Sequence, residues 1–414
     1  MGAEPEKPEQ NPGNGACGCP IPLPAPLRPI SPRPGTDGSR LRIPDQNPDD
    51  EPMRIAQISP LWESVPPQRY GGTERVVHYL TEELVRRGHE VVLFASGDSR
   101  TSAELCATVP QALRLGGHSG DPTIPEIIQL DRVIDQADRF DVLHFHTGHF
   151  HLPAAGRLGV PFLNTMHGPL DHPDQARVYN HFSAAPLVSI SESQRAALPQ
   201  ANWLGTVYHG LPLDLYQPVA EPSEYLAFVG RVSPEKRLDR AIAIATAVGL
   251  PLKVAAKIDS VDQAYWEGTI EPLVRSNPLV EFIGEVDDAG KQELYGGALA
   301  LLFPIDWPEP FGLVMIEANA CGTPVVAWRN GSTPEVIRDG VNGVLVESIE
   351  AAVAAVQRID RLDRGLVRAD FETRFSAARQ AEDYEQLYRH LIQARRSGAD
   401  RGSGRSVVPM LHAA

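Results

Sequence analysis

The sequence lacks several features that would place it in a common protein class. Four cysteines in 414 residues are too few for a disulfide framework, which favours a reducing compartment. No apolar run approaches the roughly 18 residues of a membrane-spanning helix, and the N-terminus has no basic segment followed by an apolar one. We therefore expect a soluble, cytoplasmic protein.

An excess of positive charge is also absent. Lys and Arg number 38 against 53 Asp and Glu, a net charge of −15, so the field of the protein repels phosphate backbones. Residues 53–215 contain 12 Arg, no Lys and 17 acidic residues, a net charge of −5. Nucleic acid is not expected as a partner. Binding to an anionic membrane is disfavoured, although a local arginine patch is compatible with this sum.

The nucleotide-binding fingerprints are missing as well. No Gly-x-Gly-x-x-Gly follows a predicted strand, and this motif is what lets a backbone approach a dinucleotide pyrophosphate. An NAD-dependent enzyme is therefore disfavoured. The segment from Gly284 to Lys291 comes nearest to a P-loop, but its glycines are six apart and Gln292 replaces the usual Ser or Thr. We expect no bound cofactor.

Prolines are concentrated at the start of the chain, where 13 of the 38 fall within residues 1–52. Such a segment forms neither helix nor sheet readily, so we predict a disordered tail. Cys17 and Cys19 within it would supply only half of a metal site. Residues 397–414 are rich in glycine, serine and arginine, and we predict a second disordered tail there.

From Met53 onward, short apolar runs alternate with longer amphipathic stretches, as in the βαβ units of a parallel sheet. The pattern stops around residues 211–222, which contain three prolines, and then restarts. We predict an α/β fold with two doubly wound, Rossmann-like domains, at residues 53–215 and 222–375, and a last helix at 376–396 that crosses back to the first. Ligands of such sheets bind beyond the carboxyl ends of the strands, so the site is expected in the cleft between the domains.

Apolar spacing also predicts the individual elements. The predicted strands are 54–59, 90–96, 141–146, 161–166, 186–190, 205–209, 225–230, 251–256, 279–283, 299–303, 324–328 and 343–346. The predicted helices are 73–87, 123–138, 234–248, 263–275, 288–297, 311–320, 349–359 and 376–395. The segments 97–122 and 168–183 are predicted to be loops that set acceptor specificity.

Residues 309–317, E-P-F-G-L-V-M-I-E, hold two carboxylates eight residues apart. On one helix they would be about 12 Å apart, which exceeds the roughly 5 to 9.5 Å of a glycosidase pair. Pro310 favours a helix that begins beside it, so Glu309 would lie in the preceding loop and Glu317 two turns inside the helix. The free amides at the start of such a helix form a ready anion site. A capped surface helix with two solvated glutamates is the alternative.

Residues 230–237, G-R-V-S-P-E-K-R, follow the first predicted strand of the second domain. Ser233 is suited to cap a helix and Pro234 to its first turn. Arg231 and Lys236 would then lie near the positive end of the helix dipole, where two cations suit a diphosphate. A solvated basic turn is the alternative.

Residues 69–74, R-Y-G-G-T-E, follow the first predicted strand of the first domain. Gly71 and Gly72 lack a Cβ and so allow a ligand to approach the backbone closely. Taken alone, this signal is weak.

Together with D-V-L-H-F-H at 141–146 and C-G-T-P-V-V-A at 321–327, these segments resemble the retaining glycosyltransferases of family 4. The resemblance runs from Met53 to about Tyr388, with the motifs in the family's order and spacing. It implies the GT-B fold, with a nucleotide-sugar donor mainly on the C-terminal domain and an acceptor mainly on the N-terminal one. It also implies retaining transfer of a hexose to an acceptor hydroxyl. UDP-glucose is the preferred donor here, and a soluble acceptor is favoured.

The resemblance assigns roles to individual residues. Glu317 is expected to hold the ribose hydroxyls of the donor, and Glu309 the hydroxyls of the donor sugar. Arg231 and Lys236 are expected to clamp the diphosphate. The other expected donor contacts are Gly71 and Gly72 at the diphosphate, Ile283 and Val286 at the base, and the amides of Phe311, Gly312, Leu313 and Val314 at phosphate and sugar.

His167, in a Thr-x-His context, matches the active-site histidine of the family. With Glu309, Arg231 and Lys236 it completes the expected catalytic set. Preorganised cations and amides would stabilise the charge of a departing nucleoside diphosphate. No Asp-x-Asp lies at a suitable strand end, so we expect no metal.

Four histidines, His144, His146, His149 and His151, crowd into eight residues. Contacts to the acceptor are the favoured interpretation, and a zinc site is the alternative. Where the family usually has Gly-x-Gly, residues 255–259 read A-A-K-I-D, in which Lys257 offers either a further phosphate contact or a solvated charge.

Other functions also fit this sequence. GDP- and ADP-sugars are alternative donors. A GT-B sugar-nucleotide epimerase would turn over the donor without any acceptor. A non-catalytic sugar-nucleotide binding module is disfavoured, because both carboxylates, both cations and the histidine are present.

Overall fold

A computed structural model of the protein describes residues 51–68 and 71–398. The two predicted tails and the cysteine pair at the start of the chain lie outside these residues, apart from the inner ends of the tails at 51–52 and 397–398. Within the described ranges, no helix is both long enough and apolar enough to cross a bilayer.

The described strands form two sheets in which every pairing is parallel. The first has the order β3-β2-β1-β4-β5-β6-β7 and contains β1 (Arg54–Ile58), β2 (Glu90–Ala95), β3 (Glu104–Ala107), β4 (Val142–Phe145), β5 (Phe162–Thr165), β6 (Leu187–Ser189) and β7 (Trp203–Thr206). The second has the order β10-β9-β8-β11-β12-β13 and contains β8 (Leu226–Arg231), β9 (Leu252–Lys257), β10 (Val280–Phe282), β11 (Ala300–Phe303), β12 (Val325–Trp328) and β13 (Gly343–Val346). Each order reverses once, beside β1 or β8, as in a doubly wound sheet. The predicted α/β fold with two Rossmann-like sheets is confirmed.

Helices connect the strands and cover the sheets. They are α1 (Gly72–Arg86), α2 (Thr123–Asp135), α3 (Leu152–Ala155), α4 (Pro173–His181), α5 (Glu192–Arg195), α6 (Leu238–Val248), α7 (Gln263–Tyr265), α8 (Glu271–Ser276), α9 (Asp288–Gly297), α10 (Leu313–Ala320), α11 (Thr333–Val336), α12 (Ile349–Val356), α13 (Arg364–Arg374) and α14 (Ala377–Arg396). A π-helical segment, Trp266–Ile270, joins α7 to α8.

The prediction lacks six of these elements: β3, α4, α13 and the four-residue helices α3, α5 and α11. β3 is a four-residue edge strand whose side chains are half-buried or exposed, so it has no clear apolar pattern and depends on its pairing with β2. α4 lies within the segment 168–183 that was predicted as a loop. α13 buries only Val367, Arg368, Asp370 and Phe371, and its two buried charged residues hide the amphipathic spacing.

The predicted helix 234–248 is interrupted. Pro234–Lys236 form a 3-10 turn, Arg237 adopts a left-handed conformation with φ of 55°, and α6 begins at Leu238. The side chain of Ser233 does not cap this turn, so its predicted capping role is wrong. Arg237 donates hydrogen bonds to Asp239 and Asp306 at 2.8 Å, and these ion pairs hold a conformation that is uncommon for a residue with a side chain.

The last helix completes the core of the first domain. Tyr384, Leu387 and Tyr388 of α14 are buried against a cluster that includes Ile55 of β1 and Leu80 of α1. The helix follows directly after α13, which packs against α10 in the second domain. The C-terminal segment therefore passes from one domain to the other and contributes apolar surface to both.

The chain passes between the domains in two neighbouring places. Leu211 donates to the carbonyl of Phe375 at 2.8 Å, and Ala377 donates back to the carbonyl of Leu211 at 2.8 Å. Beside these two hydrogen bonds, Gly210 lies so close to the other segment that a Cβ would overlap the carbonyl oxygen of Ser376. Only glycine fits there without a backbone shift.

Two charged contacts also join the domains. Arg75 of α1 donates to both carboxylate oxygens of Asp288 at 2.7 Å. Glu335 of α11 accepts from the amides of Glu192 and Ser193 at 2.7 Å each, so a carboxylate of the second domain lies at the N-terminus of α5, where negative charge is favoured.

Replacing Gly210 tests the close approach of the two crossing segments. We expect Gly210→Ala to lower the free energy of unfolding by about 1–3 kcal/mol, because the extra methyl must displace backbone. Urea titration followed by circular dichroism measures this. Gly156→Ala is the matched control, since nothing lies within 4 Å of a Cβ at that position; equal effects of the two substitutions would contradict the proposed steric cause.

Candidate active site

A cavity of about 590 Å³ lies between the carboxyl ends of the two sheets. Parallel strands place the loops that follow β1, β5, β8, β9 and β11 on this side, beside the points where each strand order reverses. Among the predicted site residues, those in its lining are Gly71, Gly72, His167, Arg231, Lys236, Val286, Glu309, Phe311, Gly312, Leu313, Val314 and Glu317. Ile283 is outside the lining and its side chain is exposed, so its role at the base stays a prediction.

Glu309 lies in the loop between β11 and α10 and is almost fully buried. Its carboxylate forms an ion pair with Lys236 and accepts from the indole Nε1 of Trp307 at 3.0 Å. The ammonium of Lys236 also lies 4.8 Å from the Trp307 ring centroid, a cation–π distance. The 3-10 turn before Arg237 therefore places Lys236 beside the carboxylate of a loop that is distant in the sequence.

The backbone of Glu309 is held by a glycine. The backbone amide of Ser332 donates to the carbonyl of Glu309 at 2.9 Å. A Cβ on Gly331 would overlap the Glu309 backbone nitrogen and oxygen. Gly331 has a φ of 58°. The position of Glu309 thus depends on a residue that must be small and left-handed.

Glu317 lies in α10, with 1% of its surface exposed. Its carboxylate accepts from Lys291 Nζ at 2.7 Å and from Tyr295 Oη at 2.8 Å, both on α9. Burial, reinforced by the charge of Glu317, raises the pKa of Tyr295 well above its usual value, so the phenol stays protonated and donates. The sequence does not indicate Lys291 and Tyr295 as site residues, because their relation to Glu317 depends on how α9 packs.

Arg231 and Lys257 end the neighbouring strands β8 and β9 and line the same wall as Lys236. Arg231 pairs with Glu235 at 2.6 Å and with Asp262 at 3.2 Å. Lys257 pairs with Asp259 at 3.3 Å. Three cations therefore converge on one face of the cavity, each oriented by a carboxylate.

The helix predicted at 311–320 begins later, at Leu313. Gly312 precedes it with a left-handed φ of 79°, so Phe311 lies outside the helix. The Phe311 ring packs 4.8 Å from His209 and 6.0 Å from Phe375. No side chain caps α10, and its first amides lie at the cavity, where a helix N-terminus favours an anion.

His167 follows β5 and lines the cavity. Its Nε2 lies 2.9 Å from Nδ1 of His146, and its ring stacks on His209 with 5.4 Å between the centroids. Burial lowers the pKa of His167 to about 3 and the pKa values of His146 and His209 well below the usual value. All three rings are neutral at neutral pH.

The histidine cluster does not form a metal centre in the part of the chain that the structure describes, where no group of three or more His, Cys, Asp or Glu residues is arranged to hold an ion. Both ring nitrogens of His144 and of His146 form hydrogen bonds with other side chains. His151 stacks on Phe145 with 3.9 Å between the centroids. These interactions favour an internal structural role for His144 and His151.

The first domain contributes two buried carboxylates to the cavity that no sequence motif indicates. Glu63 pairs with Arg114 at 2.8 Å. Glu74, in the first turn of α1, is 6% exposed. Burial raises its pKa to about 7, and the nearby charge of Glu63 adds to this. Glu74 is the last residue of the segment 69–74 that contains Gly71 and Gly72. Its raised pKa results from burial in the folded protein, which the sequence does not reveal.

Residues 70–213 match the family Glycosyltransferase Family 4, and residues 217–364 match the family Glycosyl transferases group 1. The chain belongs to the family 4, group 1 glycosyltransferases. Both of its domains are therefore those of sugar-transferring enzymes, and the recognised family and GT-B fold are confirmed.

Two curated relatives of this glycosyltransferase are named D-inositol 3-phosphate glycosyltransferase. The one from Thermobifida fusca is 29% identical over 255 residues, which cover 50% of this chain and 58% of the relative. The one from Mycolicibacterium smegmatis is 26% identical over 345 residues, which cover 67% of this chain and 75% of the relative. The match to the first thus spans little more than half of its length.

Solved structures share the fold of the glycosyltransferase. AviGT4, a glycosyltransferase involved in avilamycin A biosynthesis, superposes with a TM-score of 0.63 at 25% identity and covers 83% of this chain and 98% of its own. HepE from Anabaena in complex with UDP-glucose superposes with a TM-score of 0.62 at 18% identity and covers 82% and 100%. Both domains of the fold are included in these superpositions.

The raised pKa of Glu74 makes the stability of the glycosyltransferase depend on pH. The folded state binds the proton more tightly than the unfolded state, so the penalty for the buried charge is absent at pH 4, develops between pH 4.5 and about 7, and is complete above that. We expect Glu74→Gln to gain on the order of 3 kcal/mol relative to the wild type between pH 4 and pH 8. Urea titration at both pH values measures the change.

The control is Glu281→Gln, at an exposed position on β10. It should show no such change between the two pH values. A difference between Glu74→Gln and the wild type that is the same at pH 4 and pH 8 would contradict the buried-charge interpretation.

Proposed function

We propose that the protein is a retaining, metal-independent glycosyltransferase that moves a hexose from a UDP-sugar, with UDP-glucose preferred, to a hydroxyl of a soluble acceptor in the cytoplasm. One observation carries the proposal: Lys236, Glu309 and Glu317 converge on one cavity wall, beside the uncapped start of α10. The low cysteine content supports the compartment.

The charges of this wall suit a nucleoside diphosphate. When the bond between the sugar and the diphosphate breaks, negative charge grows on the departing phosphate oxygens. Arg231, Lys236 and the amides at the start of α10 are already oriented, so they stabilise that charge without reorganisation. These protein cations supply what a divalent metal would otherwise provide, which supports metal independence.

The carboxylates suit the neutral parts of the donor. Glu317 is fixed by Lys291 and Tyr295, and a fixed carboxylate accepts well from the two hydroxyls of a ribose. Glu309, beside the cations, would accept from hydroxyls of the sugar. That HepE from Anabaena was solved in complex with UDP-glucose supports the choice of UDP-glucose.

Retention requires the acceptor oxygen to bond to the sugar carbon on the face from which the diphosphate leaves. Lys236 and Trp307 both contact Oε2 of Glu309, and the proposed role of its Oε1 is to accept from a hydroxyl of the donor sugar. The proposed mechanism is direct attack on that face, assisted by the diphosphate clamp, without a covalent sugar–enzyme intermediate.

The first-domain side of the cavity indicates the kind of acceptor. Glu63 and Glu74 line it, and Arg114 is already paired with Glu63. The charge of Glu63 is offset by Arg114, and Glu74 with its pKa of about 7 is only partly ionised at neutral pH, so these side chains favour hydrogen bonds with hydroxyl groups. We therefore infer a polyhydroxylated acceptor.

Nucleotide release from a panel of UDP-, GDP- and ADP-sugars in the presence of EDTA tests the proposal. We expect slow release of UDP from UDP-glucose, and Glu317→Gln should reduce it at least about ten-fold, the equivalent of roughly 1.4 kcal/mol of lost binding. Glu347→Gln, at an exposed position, is the control. The proposal would be contradicted if no donor released its nucleotide and no nucleotide gave a thermal shift. Activity that required a divalent metal would contradict it as well.

The panel also separates the alternative functions. An epimerase would convert the sugar of the donor without any acceptor, and a binding module would give a thermal shift without release. Chromatography of the sugar product after the reaction identifies each outcome.

The dependence of Glu309 on Gly331 gives a second prediction. Gly331→Ala and Gly340→Ala both place alanine at a left-handed φ, of 58° and 79°, and this backbone strain alone costs each about 1 kcal/mol of stability. Only the methyl at 331 overlaps the backbone of Glu309, and nothing lies within 4 Å of one at 340. We expect UDP release to fall about ten-fold or more in Gly331→Ala alone; equal rates in the two variants would show that the Glu309 position is unimportant.

A further inference from the structure

A chain of buried polar side chains connects the cavity wall to the C-terminal helix. In order, its members are His167, His146, Gln57, Tyr388, His144, Thr165 and Tyr384. They come from the neighbouring strands β1, β4 and β5, from the residues just after β4 and β5, and from α14. A chain of this kind through the centre of an apolar core is costly unless every member is satisfied.

Gln57 is at the middle of this chain. Its Oε1 lies 2.7 Å from Nε2 of His146, and its Nε2 donates to the hydroxyl of Tyr388 at 3.1 Å. Tyr388 in turn lies 2.6 Å from Nδ1 of His144. Gln57 is fully buried in an otherwise apolar segment of β1.

A neutral imidazole has one donor and one acceptor nitrogen, so each ring passes the direction of hydrogen bonding along the chain. Burial keeps His146 and His167 neutral at neutral pH. Only two directions are then possible for the part of the chain from His167 through His146 to Gln57, and the orientation of the Gln57 amide decides between them.

The carbonyl of Gln57 only accepts, so Nε2 of His146 carries the proton and its Nδ1 is bare. That Nδ1 accepts from Nε2 of His167, 2.9 Å away. Nδ1 of His167 is then also bare.

The environment of His167, at the cavity end of the chain, supports the same direction. Nδ1 of His167 is buried and has no hydrogen-bond partner among the described residues. A bare nitrogen tolerates such a place better than an orphaned N–H donor. The reversed direction would put a proton on this nitrogen, so the environment of His167 and the orientation of Gln57 agree.

We propose that Gln57 is a positioning residue: through His146, its amide fixes His167 at the cavity wall as the tautomer protonated on Nε2. The amide group itself is anchored by Tyr388 of α14, so the C-terminal helix holds this arrangement from the opposite side. The consequence for turnover rests on the proposed function, whereas the tautomer assignment does not.

Nitrogen-15 NMR of the full-length protein tests the assignment, because the chemical shift of a ring nitrogen distinguishes its protonated from its bare form. In the wild type we expect His146 and His167 both protonated on Nε2 and bare on Nδ1. A proton on Nδ1 of His167 would overturn the proposal. This measurement needs no substitution and stands even if a variant fails to fold.

Two substitutions separate positioning from general packing. Gln57→Met preserves the approximate volume but removes the acceptor of His146, so His146 and His167 should lose the single tautomer. Thr165→Val is the matched control: it removes a buried hydrogen bond from the same chain but leaves the Gln57–His146–His167 part intact, and the His167 tautomer should be unchanged. An unchanged His167 spectrum in Gln57→Met would overturn the proposal.

UDP release from UDP-glucose gives the functional readout. We expect kcat to fall about ten-fold in Gln57→Met with KM changed less than about three-fold, and to stay within about three-fold of wild type in Thr165→Val. Equal losses in both variants would indicate a merely structural role and overturn the positioning of His167. Absence of release from the wild type would refute the proposed function instead, and the NMR assignment would still decide the direction of the chain.

Discussion

The parallel direction of all the described strands is the constraint on which the rest of the molecule depends. Because every strand ends on the same side of its sheet, the loops that follow β1 and β5 in one domain and β8, β9 and β11 in the other meet at one cavity. The reversal of strand order beside β1 and β8 leaves room there for a ligand. The residues of the candidate site thus come from segments far apart in the sequence.

Within that cavity, charge is arranged before any ligand arrives. Glu309 with Lys236, and Glu317 with Lys291, are ion pairs with little exposed surface. Removing charged groups from water costs free energy, and the attraction between the two charges of each pair offsets part of that cost. The same arrangement suits a reaction in which negative charge develops at a fixed place, because the oriented groups need not move.

The two domains are not independent units. Helix α14 supplies Tyr384 and Tyr388 to the core of the first domain, and Tyr388 also anchors Gln57, which links the cavity histidines to the C-terminal helix. Arg75 with Asp288, and Glu335 with the start of α5, connect the domains across the cleft. The candidate site is therefore supported by contacts from both halves of the chain.

The sequence by itself determined the α/β class, the two-sheet organisation and most helices and strands, because apolar periodicity is a local signal. Its motifs also predicted donor-binding and catalytic residues of which all but Ile283 line the cavity. The tertiary structure alone decided the left-handed break at Arg237, the edge strand β3, the partners Lys291 and Tyr295 of Glu317, and the raised pKa of Glu74. These features depend on which distant side chains meet and how completely they are removed from water. Such contacts arise from packing between residues far apart in the sequence, so local sequence patterns do not predict them.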